Sequence, residues 1–372
     1  MSKGTVLYVG GFILPDKNAA AQRVLAIAKI LRDINYDVIF LNKTPFSNAE
    51  TWTETSYYGF QCYEKRKEGG KAELVHELVD IDYIKEYVQR INDVIAVIAY
   101  NFPAIALKKL NHYCKRKKIK CIGDVTEWYG SRGRSLVYKI IKGLDTSYRM
   151  RVVQKQLSGN IVISDFLEEY YSRYTNVVNL PPLVDKTEEK WDCECQPHKG
   201  VHLIYAGSPS SEKERLDLIV DAVTKVRKLH DVSLTVVGIT QEQFVKLYHN
   251  SKIDFMNANY VQFLGRMSHK DVIRYVSSAD FSVLIRDNNR VNTAGFPTKF
   301  VESISCNTAV IANSSSCIAK YLSDGENGFL IAETKLEEEL NNILELNKYP
   351  IVKEDLFDYR NFIEPMQKFM ES

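Results

Sequence analysis

The chain has 372 residues, of which 45% are hydrophobic and 26% charged, and its formal net charge is +2. These values exclude a disordered, collagen-like or coiled-coil protein, and the length suits two domains rather than one. The longest apolar runs, such as 94–99 and 281–285, fall far short of the roughly 20 residues that span a bilayer. Because no secretory signal precedes the first apolar segment, we expect a cytoplasmic protein.

Positive charge is concentrated in one part of the chain. Residues 1–185 carry a net charge of +7, the remainder carries −5, and the segment 101–157 alone carries +11. A local excess of this kind attracts anionic lipid, nucleic acid or an acidic substrate. No recognised nucleic-acid module accompanies the charge, so we expect no nucleic-acid partner. Cys193, Cys195 and His198 lack the paired spacing of a structural zinc site, and we predict no metal.

The first half of the chain alternates short apolar runs with one clear helical pattern. Ala19–Leu31 has apolar residues at helical spacing and is predicted to be a helix. Continuous apolar strands that alternate with helices indicate a parallel sheet covered on both faces. The predicted strands are Thr5–Val9, Asp37–Leu41, Val94–Ala99, Ile119–Gly123 and Asn160–Ile163, with Tyr57–Tyr63 as an edge strand.

A second alternating series follows a polar segment, 183–199, which has the composition of a linker. The predicted helices are Leu216–Leu229, His269–Ser278 and Thr298–Ser305. The predicted strands are Val201–Tyr205, Ser233–Val237, Val261–Leu264, Phe281–Leu284 and Ala309–Ala312. We therefore expect two doubly wound α/β domains, at 1–185 and 200–350, and a C-terminal helix within 351–372 that packs back toward the first domain.

In each series one glycine-containing loop follows the first strand, at the end of the sheet where open parallel sheets bind their ligands. Gly10-Gly11 is consistent equally with a tight turn and with the close approach of another group. Gly207-Ser208, with Lys213 shortly after it, exposes backbone amides and supplies a cation, which suits a diphosphate. The alternative for Lys213 is a solvated position at the start of a helix. Neither loop is a dinucleotide fingerprint or a P-loop.

The loop 292–302 is the most specific of the candidate sites. Pro297 fits the first turn of a helix. Thr298 and Lys299 then lie where free amides and the positive end of the helix dipole face the loop. Glu302, one turn further on, could accept hydrogen bonds from a ribose diol. The spacing predicts a site for a nucleotide diphosphate, and the alternative is an ordinary capped helix with an exposed glutamate.

Ordered motifs across most of the chain resemble GT-B glycosyltransferases, particularly the retaining enzymes of family four. The matching segments are Gly10-Gly11, 161–167, 205–213, 263–266, 278–280 and 296–311. The resemblance implies two Rossmann-like domains facing a central cleft. It implies an enzyme that moves a sugar from a UDP- or GDP-sugar to a glycan or lipid-linked glycan, in cell-surface polysaccharide or glycoconjugate synthesis. We expect a retaining, metal-independent reaction that uses no cofactor besides this co-substrate.

The resemblance also implies roles for single residues. Lys213 would hold the donor diphosphate, Glu302 the ribose hydroxyls, and Gly11 would let the donor phosphate or the acceptor approach the first domain. Lys299 supplies a second cation, so both lysines are candidate catalytic residues that stabilise the leaving diphosphate. The further donor-binding positions are Gly207, Ser208, Gly265, Arg266, Gly295, Phe296, Pro297 and Thr298.

The sequence departs from the family pattern in both halves. Ala294 stands where the family has the first glutamate of its E-x7-E motif, and Ser208 replaces a common arginine. Arg286 or Arg290 could supply the missing cation, unless both are surface arginines.

In the first half, the segment 123–129 replaces the family's histidine. Asp124 or Glu127 is predicted to bind the acceptor or to take its proton, with Trp128 stacking on a sugar. The alternative is that one of the two carboxylates only caps a helix.

Two other functions remain open at this point, and so does a membrane contact. The fold also suits a nucleotide-sugar 2-epimerase or an inactive partner protein, the latter favoured by Ala294. Cations that flank apolar residues suit docking at an anionic bilayer, here the inner face of the membrane, unless the apolar residues belong to the core. The apolar residues are Leu136, Val137, Ile140, Ile141 and Leu144. The cations are Lys108, Lys109, Lys115, Arg116, Lys117, Lys118, Arg132, Arg134, Lys139, Lys142, Arg149, Arg151 and Lys155.

Overall fold

The chain folds into two compact units, seen here in a computed structural model. The structure describes residues 1–15, 17–44, 47–67, 76–128, 136–193, 195–210, 213–248, 259–346, 348–352 and 355–372. The first unit contains Met1–Val184 together with Asp358–Ser372, and the second contains Asp185–Phe357. The segment 183–199, which we predicted to be a linker, therefore lies within the second unit from Asp185 onward.

The first unit is built on an eight-stranded sheet. Its strands are β1 (Thr5–Gly10), β2 (Asp37–Thr44), β3 (Thr53–Tyr57), β4 (Phe60–Arg66), β5 (Val94–Tyr100), β6 (Lys120–Val125), β7 (Gly159–Val162) and β8 (Asn176–Asn179). They lie in the order β3-β4-β2-β1-β5-β6-β7-β8. All neighbours are parallel except β3 and β4, which form a hairpin.

The predicted edge strand Tyr57–Tyr63 is wrong in detail. Tyr58 and Gly59 have φ values of 52° and 80° and form the hairpin turn, so they divide that segment between β3 and β4. Positive φ at both central residues matches the right-handed twist of the flanking strands. The remaining predicted strands of this unit are present.

Helices cover the sheet of the first unit. In the described part of this unit they are Ala19–Asp33, Asp82–Arg90, Ala104–Lys117, Leu136–Tyr148, Asp165–Tyr171 and Ile363–Glu371. Asn18 caps the N-terminus of Ala19–Asp33, and its side chain accepts a hydrogen bond from the Ala21 amide at 2.8 Å. Ile363–Glu371 contributes Met366, Phe369 and Met370 to the same apolar core as that helix. None of the helices in these described ranges is long and apolar enough to cross a membrane.

The second unit is built on a six-stranded parallel sheet. Its strands are β9 (Val201–Ala206), β10 (Val232–Val237), β11 (Val261–Gly265), β12 (Phe281–Leu284), β13 (Ala309–Asn313) and β14 (Gly328–Ile331). Their order is β11-β10-β9-β12-β13-β14. The five strands predicted here are all present, and the doubly wound α/β fold class is confirmed.

The order of the strands reverses between β9 and β12. The chain runs outward from β9 to β10 and β11, then returns to the other side of β9 to begin β12. Ligands of open α/β sheets bind beyond the carboxyl ends of the strands at such a reversal. In the described part of this unit the helices are Leu216–Val226, Gln241–Leu247, His269–Ser277, Arg290–Ala294, Thr298–Ser305 and Leu336–Leu344.

Candidate active site

Three glycines lie at the carboxyl ends of β9, β10 and β11. Gly207, Gly238 and Gly265 have φ values of +138°, +105° and +67°, which side chains rarely tolerate. The Gly207 amide donates to the Val237 carbonyl at 2.9 Å, and the Gly238 amide donates to the Gly265 carbonyl at 2.7 Å. A Cβ on Gly238 would overlap the Gly207 carbonyl. The predicted residues Gly207 and Gly265 therefore belong to one linked set of backbone turns.

Lys299 lies across the turn at Gly207. A Cβ on Gly207 would overlap Cε of Lys299, so the lysine stem occupies the space that the glycine leaves open. Lys299 Nζ donates hydrogen bonds to the Tyr205 hydroxyl at 2.7 Å and to Glu214 Oε1 at 3.0 Å. Burial lowers the pKa of the Lys299 ammonium, and the adjacent Glu214 carboxylate opposes that shift. The site thus holds a largely buried cation beside the reversal of strand order.

Asn292 joins the loop after β9 to the loop after β12. Its Nδ2 donates to the backbone carbonyls of Lys213 at 3.1 Å and Asp287 at 2.8 Å, and its Oδ1 accepts from Arg286 Nη2 at 2.8 Å. Asn292 is fully buried, and Arg286 is 4% exposed. Arg286 is therefore an interior residue that faces this cluster, rather than a surface arginine. The backbone of Lys213 is fixed at the same place.

The helix Thr298–Ser305 begins directly after Pro297, which precedes the first turn instead of lying inside it. The Gly295 carbonyl accepts a hydrogen bond from the Ser316 hydroxyl. The Phe296 side chain packs against Phe300, Tyr321 and Phe357. Since its ring is enclosed by other aromatic rings, Phe296 can approach a ligand only through its backbone.

Glu302 contacts a histidine that the sequence analysis did not consider. Glu302 Oε1 lies 3.2 Å from Nε2 of His269, the first residue of the helix His269–Ser277. The ring of His269 packs edge-on against Trp191 at 6.5 Å between centroids. The Glu302 side chain is 16% exposed, so its carboxylate is partly accessible to a ligand. Ser208 and Arg266, also predicted here, are exposed at the ends of β9 and β11.

Asp124 in the first unit is enclosed by the protein. Its Oδ1 accepts from Arg23 Nε at 2.8 Å, and its Oδ2 accepts from the Tyr8 hydroxyl at 2.5 Å. The Asp124 side chain is fully buried and that of Arg23 is 4% exposed. Arg23 Nη1 also donates to the Leu180 carbonyl at 2.8 Å. Burial raises the pKa of the Tyr8 phenol well above its ordinary value. This geometry gives Asp124 a structural partner on each oxygen.

Glu127 and Trp128 follow β6 and are partly exposed. The Trp128 ring packs edge-on against Tyr170, with 5.2 Å between centroids. Nearby, Asn101 Nδ2 donates to the Thr126 hydroxyl at 2.6 Å, which joins the ends of β5 and β6. These polar groups lie at the carboxyl end of the sheet, where a ligand is expected.

The glycine pair after β1 divides into two different positions. Gly10 has φ of +149°, and a Cβ there would lie 2.7 Å from the Tyr100 carbonyl oxygen. Gly11 is exposed, and a Cβ on it would meet no atom of the described residues within 4 Å. Gly10 is thus required by the packing, whereas the backbone at Gly11 remains open to another molecule.

Several site residues escaped the sequence analysis. Tyr205 and Glu214 lie in or next to the segment 205–213, but its sequence does not show that both side chains contact Lys299. Asn292 begins the segment 292–302, and the sequence likewise does not show that its side chain contacts Lys213. His269 follows the loop after β11. In the described ranges no three His, Cys, Asp or Glu side chains come together as a group that could hold a metal ion.

The basic and apolar residues of the first unit lie mainly on its surface. Ile140, Ile141 and Leu144 are 54%, 47% and 67% exposed on the helix Leu136–Tyr148, which contradicts the alternative that these three residues belong to the core. Arg149 is a correction in the other direction, because it is fully buried. Arg132, Arg134 and the side chains of Leu136 and Val137 lie outside the residues that the structure describes.

The second unit is similar to a known protein family. Residues 196–354, all within the second unit, match the family described as glycosyl transferases group 1. The chain has no match among curated protein sequences.

The whole chain is similar in fold to solved structures. Sucrose-phosphate synthase from Thermosynechococcus elongatus has a TM-score of 0.72 at 13% identity, over 99% of this chain and 98% of that one. Anabaena HepE, in complex with UDP and glucose, has a TM-score of 0.66 at 14% identity, over 99% of both chains. The pneumococcal O-GlcNAc transferase GtfA, in complex with UDP and GlcNAc, has a TM-score of 0.62 at 12% identity, over 99% and 98%. At these identities the similarity establishes the fold alone.

Proposed function

Because residues 196–354 match glycosyl transferases group 1 and the whole chain shares its fold with sucrose-phosphate synthase and the O-GlcNAc transferase GtfA, we propose that it is a GT-B glycosyltransferase that moves a sugar from a UDP-sugar to a glycan or lipid-linked glycan. The reaction proceeds with retention and without a metal ion. The observation that carries the proposal is the partly buried Lys299 cation, held across the Gly207 turn beside the reversal of strand order. A GDP-sugar offers the same diphosphate, and the assay below separates the two donors.

The donor diphosphate binds between Lys299, Lys213 and the start of the helix Thr298–Ser305. The bond between the anomeric carbon and the β-phosphate oxygen breaks, and the acceptor oxygen forms the new bond on the same face. The acceptor proton passes to the leaving phosphate oxygen. Negative charge therefore grows on the diphosphate, where the two lysines and the free amides of the helix stabilise it. Cations placed there bind the transition state more strongly than the ground state.

Some of the other predicted donor-binding residues contact the donor through their side chains, and others only through their backbone. Glu302 binds the ribose hydroxyls through its accessible carboxylate. Gly265 and Arg266 lie beside the base, and Gly207 and Ser208 beside the phosphates. Gly295, Phe296, Pro297 and Thr298 contribute backbone groups, because the Phe296 ring is enclosed. Arg286 contributes positive charge beside the diphosphate, since its buried guanidinium bonds to Asn292 in the same cluster of loops.

On the acceptor side, Glu127 is the favoured contact. Its side chain is partly exposed at the end of β6, whereas both oxygens of Asp124 are already bonded inside the protein. We assign hydroxyl binding to Glu127 and positioning of the strand end to Asp124. Trp128 offers an aromatic surface for a sugar ring, and Gly11 an open backbone.

The helix Leu136–Tyr148 supplies a surface for an anionic bilayer, where a lipid-linked acceptor is found. Exposed Ile140, Ile141 and Leu144 alternate there with Lys139 and Lys142. Exposed cations at 115–118 lie in the same unit. Apolar residues insert at the interface while each nearby cation contributes about 1 kcal/mol of attraction.

The transferase proposal is tested with labelled UDP- and GDP-sugars, with and without a glycan acceptor. Release of the nucleotide diphosphate with a labelled product supports it. Lys299→Ala should lower kcat as well as donor affinity, whereas the exposed Lys225→Ala serves as the control. A labelled sugar that is released with inverted C2 would identify an epimerase. Donor binding without any release would identify an inactive partner.

The membrane contact is tested by co-sedimentation with anionic and neutral vesicles at low and high salt. We expect recovery only on anionic vesicles at low salt, and a reduced recovery for a variant with Ile140, Ile141 and Leu144 changed to Ser. Equal recovery on both lipids, or none on either, would contradict the membrane surface and leave the transferase proposal intact.

A further inference from the structure

Glu214 is fixed by the protein on three sides. Its Oε2 accepts from the Ser210 amide at 3.3 Å, and its backbone carbonyl accepts from the Tyr248 hydroxyl at 2.9 Å. Its backbone also forms a β-bridge with Arg286. The remaining oxygen, Oε1, faces Lys299 Nζ at 3.0 Å. The position of the Glu214 carboxylate is therefore fixed by contacts that do not involve Lys299, and the lysine side chain extends to it.

The groups around the Lys299 ammonium come from four elements. Tyr205 of β9 is a neutral acceptor, Glu214 lies before the helix Leu216–Val226, Arg286 follows β12, and Glu302 is one turn along the lysine's own helix. Arg286 repels the ammonium, and the two carboxylates attract it. Of these carboxylates only Glu214 bonds to Nζ directly.

We propose that Glu214 is a positioning residue that keeps Lys299 protonated and holds it across Gly207 toward the donor diphosphate. The proposal deepens the function proposed above and rests on it. A carboxylate beside a diphosphate would by itself weaken binding by repulsion. Its benefit is exerted through Lys299, because desolvation favours the neutral amine and a neutral amine cannot stabilise the leaving group. An opposite charge at hydrogen-bond distance favours the charged form.

The first test measures Lys299 protonation without any transferase assay. The full-length protein is labelled with acetic anhydride across a pH series, and acetylation of Lys299 is followed by mass spectrometry. In Glu214→Gln, the pH midpoint for Lys299 should fall by about one unit or more. The control is Glu337→Gln, since Glu337 bonds to Lys225 at 2.8 Å on the surface. Solvent screens that pair, so the Lys225 midpoint should move much less. An unchanged Lys299 midpoint in folded Glu214→Gln would overturn the proposal.

The second test uses the pH profile of kcat/KM with the sugar nucleotide. Glu214→Gln should match the unsubstituted protein at low pH and fall about tenfold or more below it on the alkaline side, since one pKa unit is a tenfold change. Lys299→Arg carries a guanidinium that stays charged, so its profile should lose the alkaline limb. The double variant Glu214→Gln, Lys299→Arg should then have a pH profile of kcat/KM with the same shape as that of Lys299→Arg alone.

A merely structural role for Glu214 predicts a different result, namely an equal loss at every pH, and that outcome would overturn the proposal. The two proposals also fail separately. If the unsubstituted protein releases nucleotide diphosphate from no donor, the proposed function fails. The labelling midpoint of Lys299 still decides whether Glu214 maintains its charge.

Discussion

Each unit places a tyrosine of its first strand, a cation of a helix and a carboxylate in one hydrogen-bonded trio: Tyr8, Arg23 and Asp124 in the first, and Tyr205, Lys299 and Glu214 in the second. The central group of the two trios differs in charge: it is an anion in the first and a cation in the second. In the first, the carboxylate accepts from both partners. In the second, the ammonium donates to both partners.

The difference in burial indicates what each trio is for. In the first unit the side chains of Arg23 and Asp124 are 4% and 0% exposed, whereas those of Lys299 and Glu214 are 16% and 8% exposed. Removal of one partner from an enclosed ion pair strongly destabilises the fold, because the other charge stays buried without its partner. A partly open cation can still meet a ligand. The first trio therefore supports the fold, and the second is available for binding.

Asp124→Ala should produce the largest effect and tests the structural role directly. It leaves Arg23 charged and buried without its carboxylate, which costs about 3–5 kcal/mol of the free energy of unfolding. Urea unfolding followed by circular dichroism measures the loss. If the variant kept its stability and lost only transfer activity, Asp124 would act on the acceptor and the contrast between the trios would be broken.

Glu302→Ala should act on binding rather than on folding. Loss of charge-assisted bonds to two ribose hydroxyls costs about 1.5–3 kcal/mol, roughly a 10- to 150-fold rise in donor KM. The exposed Glu338→Ala provides a matched control. A folded Glu302→Ala protein with normal kinetics would show that the carboxylate only pairs with His269.

Gly207→Ala and Gly11→Ala compare the glycine beside Tyr205, Lys299 and Glu214 with the exposed glycine after β1. Its φ of +138° and the position of the Lys299 stem should cost about 1–3 kcal/mol in stability, and the displaced lysine should raise donor KM. Gly11→Ala, in open space, should change stability by less than about 0.5 kcal/mol. Thermal unfolding and donor kinetics are measured for both. Normal donor kinetics for Gly207→Ala would show that Lys299 does not bind the donor diphosphate.

The smallest expected effect is the difference between two conservative substitutions. Both hydrogen bonds involve a charged group, for which the loss costs about 1.5–3 kcal/mol. Tyr8→Phe should lie at the upper end of that range because the Asp124 carboxylate is fully buried, and Tyr205→Phe at the lower end because the Lys299 ammonium is partly exposed. Urea midpoints of the two variants rank them. A greater loss for Tyr205→Phe would mean that the second trio is the more important for folding.

The strands that could be predicted from the sequence are those with continuous apolar runs, such as β5, β9 and β13. β8 could not, because it is only four residues long and has asparagine at both ends. The hairpin of β3 and β4 was hidden because its turn consists of Tyr58 and Gly59, and tyrosine is typical of strands rather than of turns.

The candidate site divides in a similar way. Its loops were found because glycine, proline and lysine act locally, on the backbone that carries them. Partners such as Glu214 for Lys299 are 85 positions apart in the chain, and a single sequence gives no sign of such a contact. The enclosure of Asp124 also depends on Arg23, 101 positions away. Local chemistry thus predicts where a ligand binds, and tertiary packing decides which side chains can reach it.

The division of the first unit into 1–184 and 358–372 has a consequence for synthesis on the ribosome. Met366, Phe369 and Met370 belong to its apolar core, and Phe369 packs where Gly159 leaves room for the ring. A nascent chain that has emerged only as far as Phe357 contains all of the second unit but lacks these core residues of the first. Domains usually fold as they emerge, N-terminal first. Here the N-terminal unit must be the later of the two to complete its core.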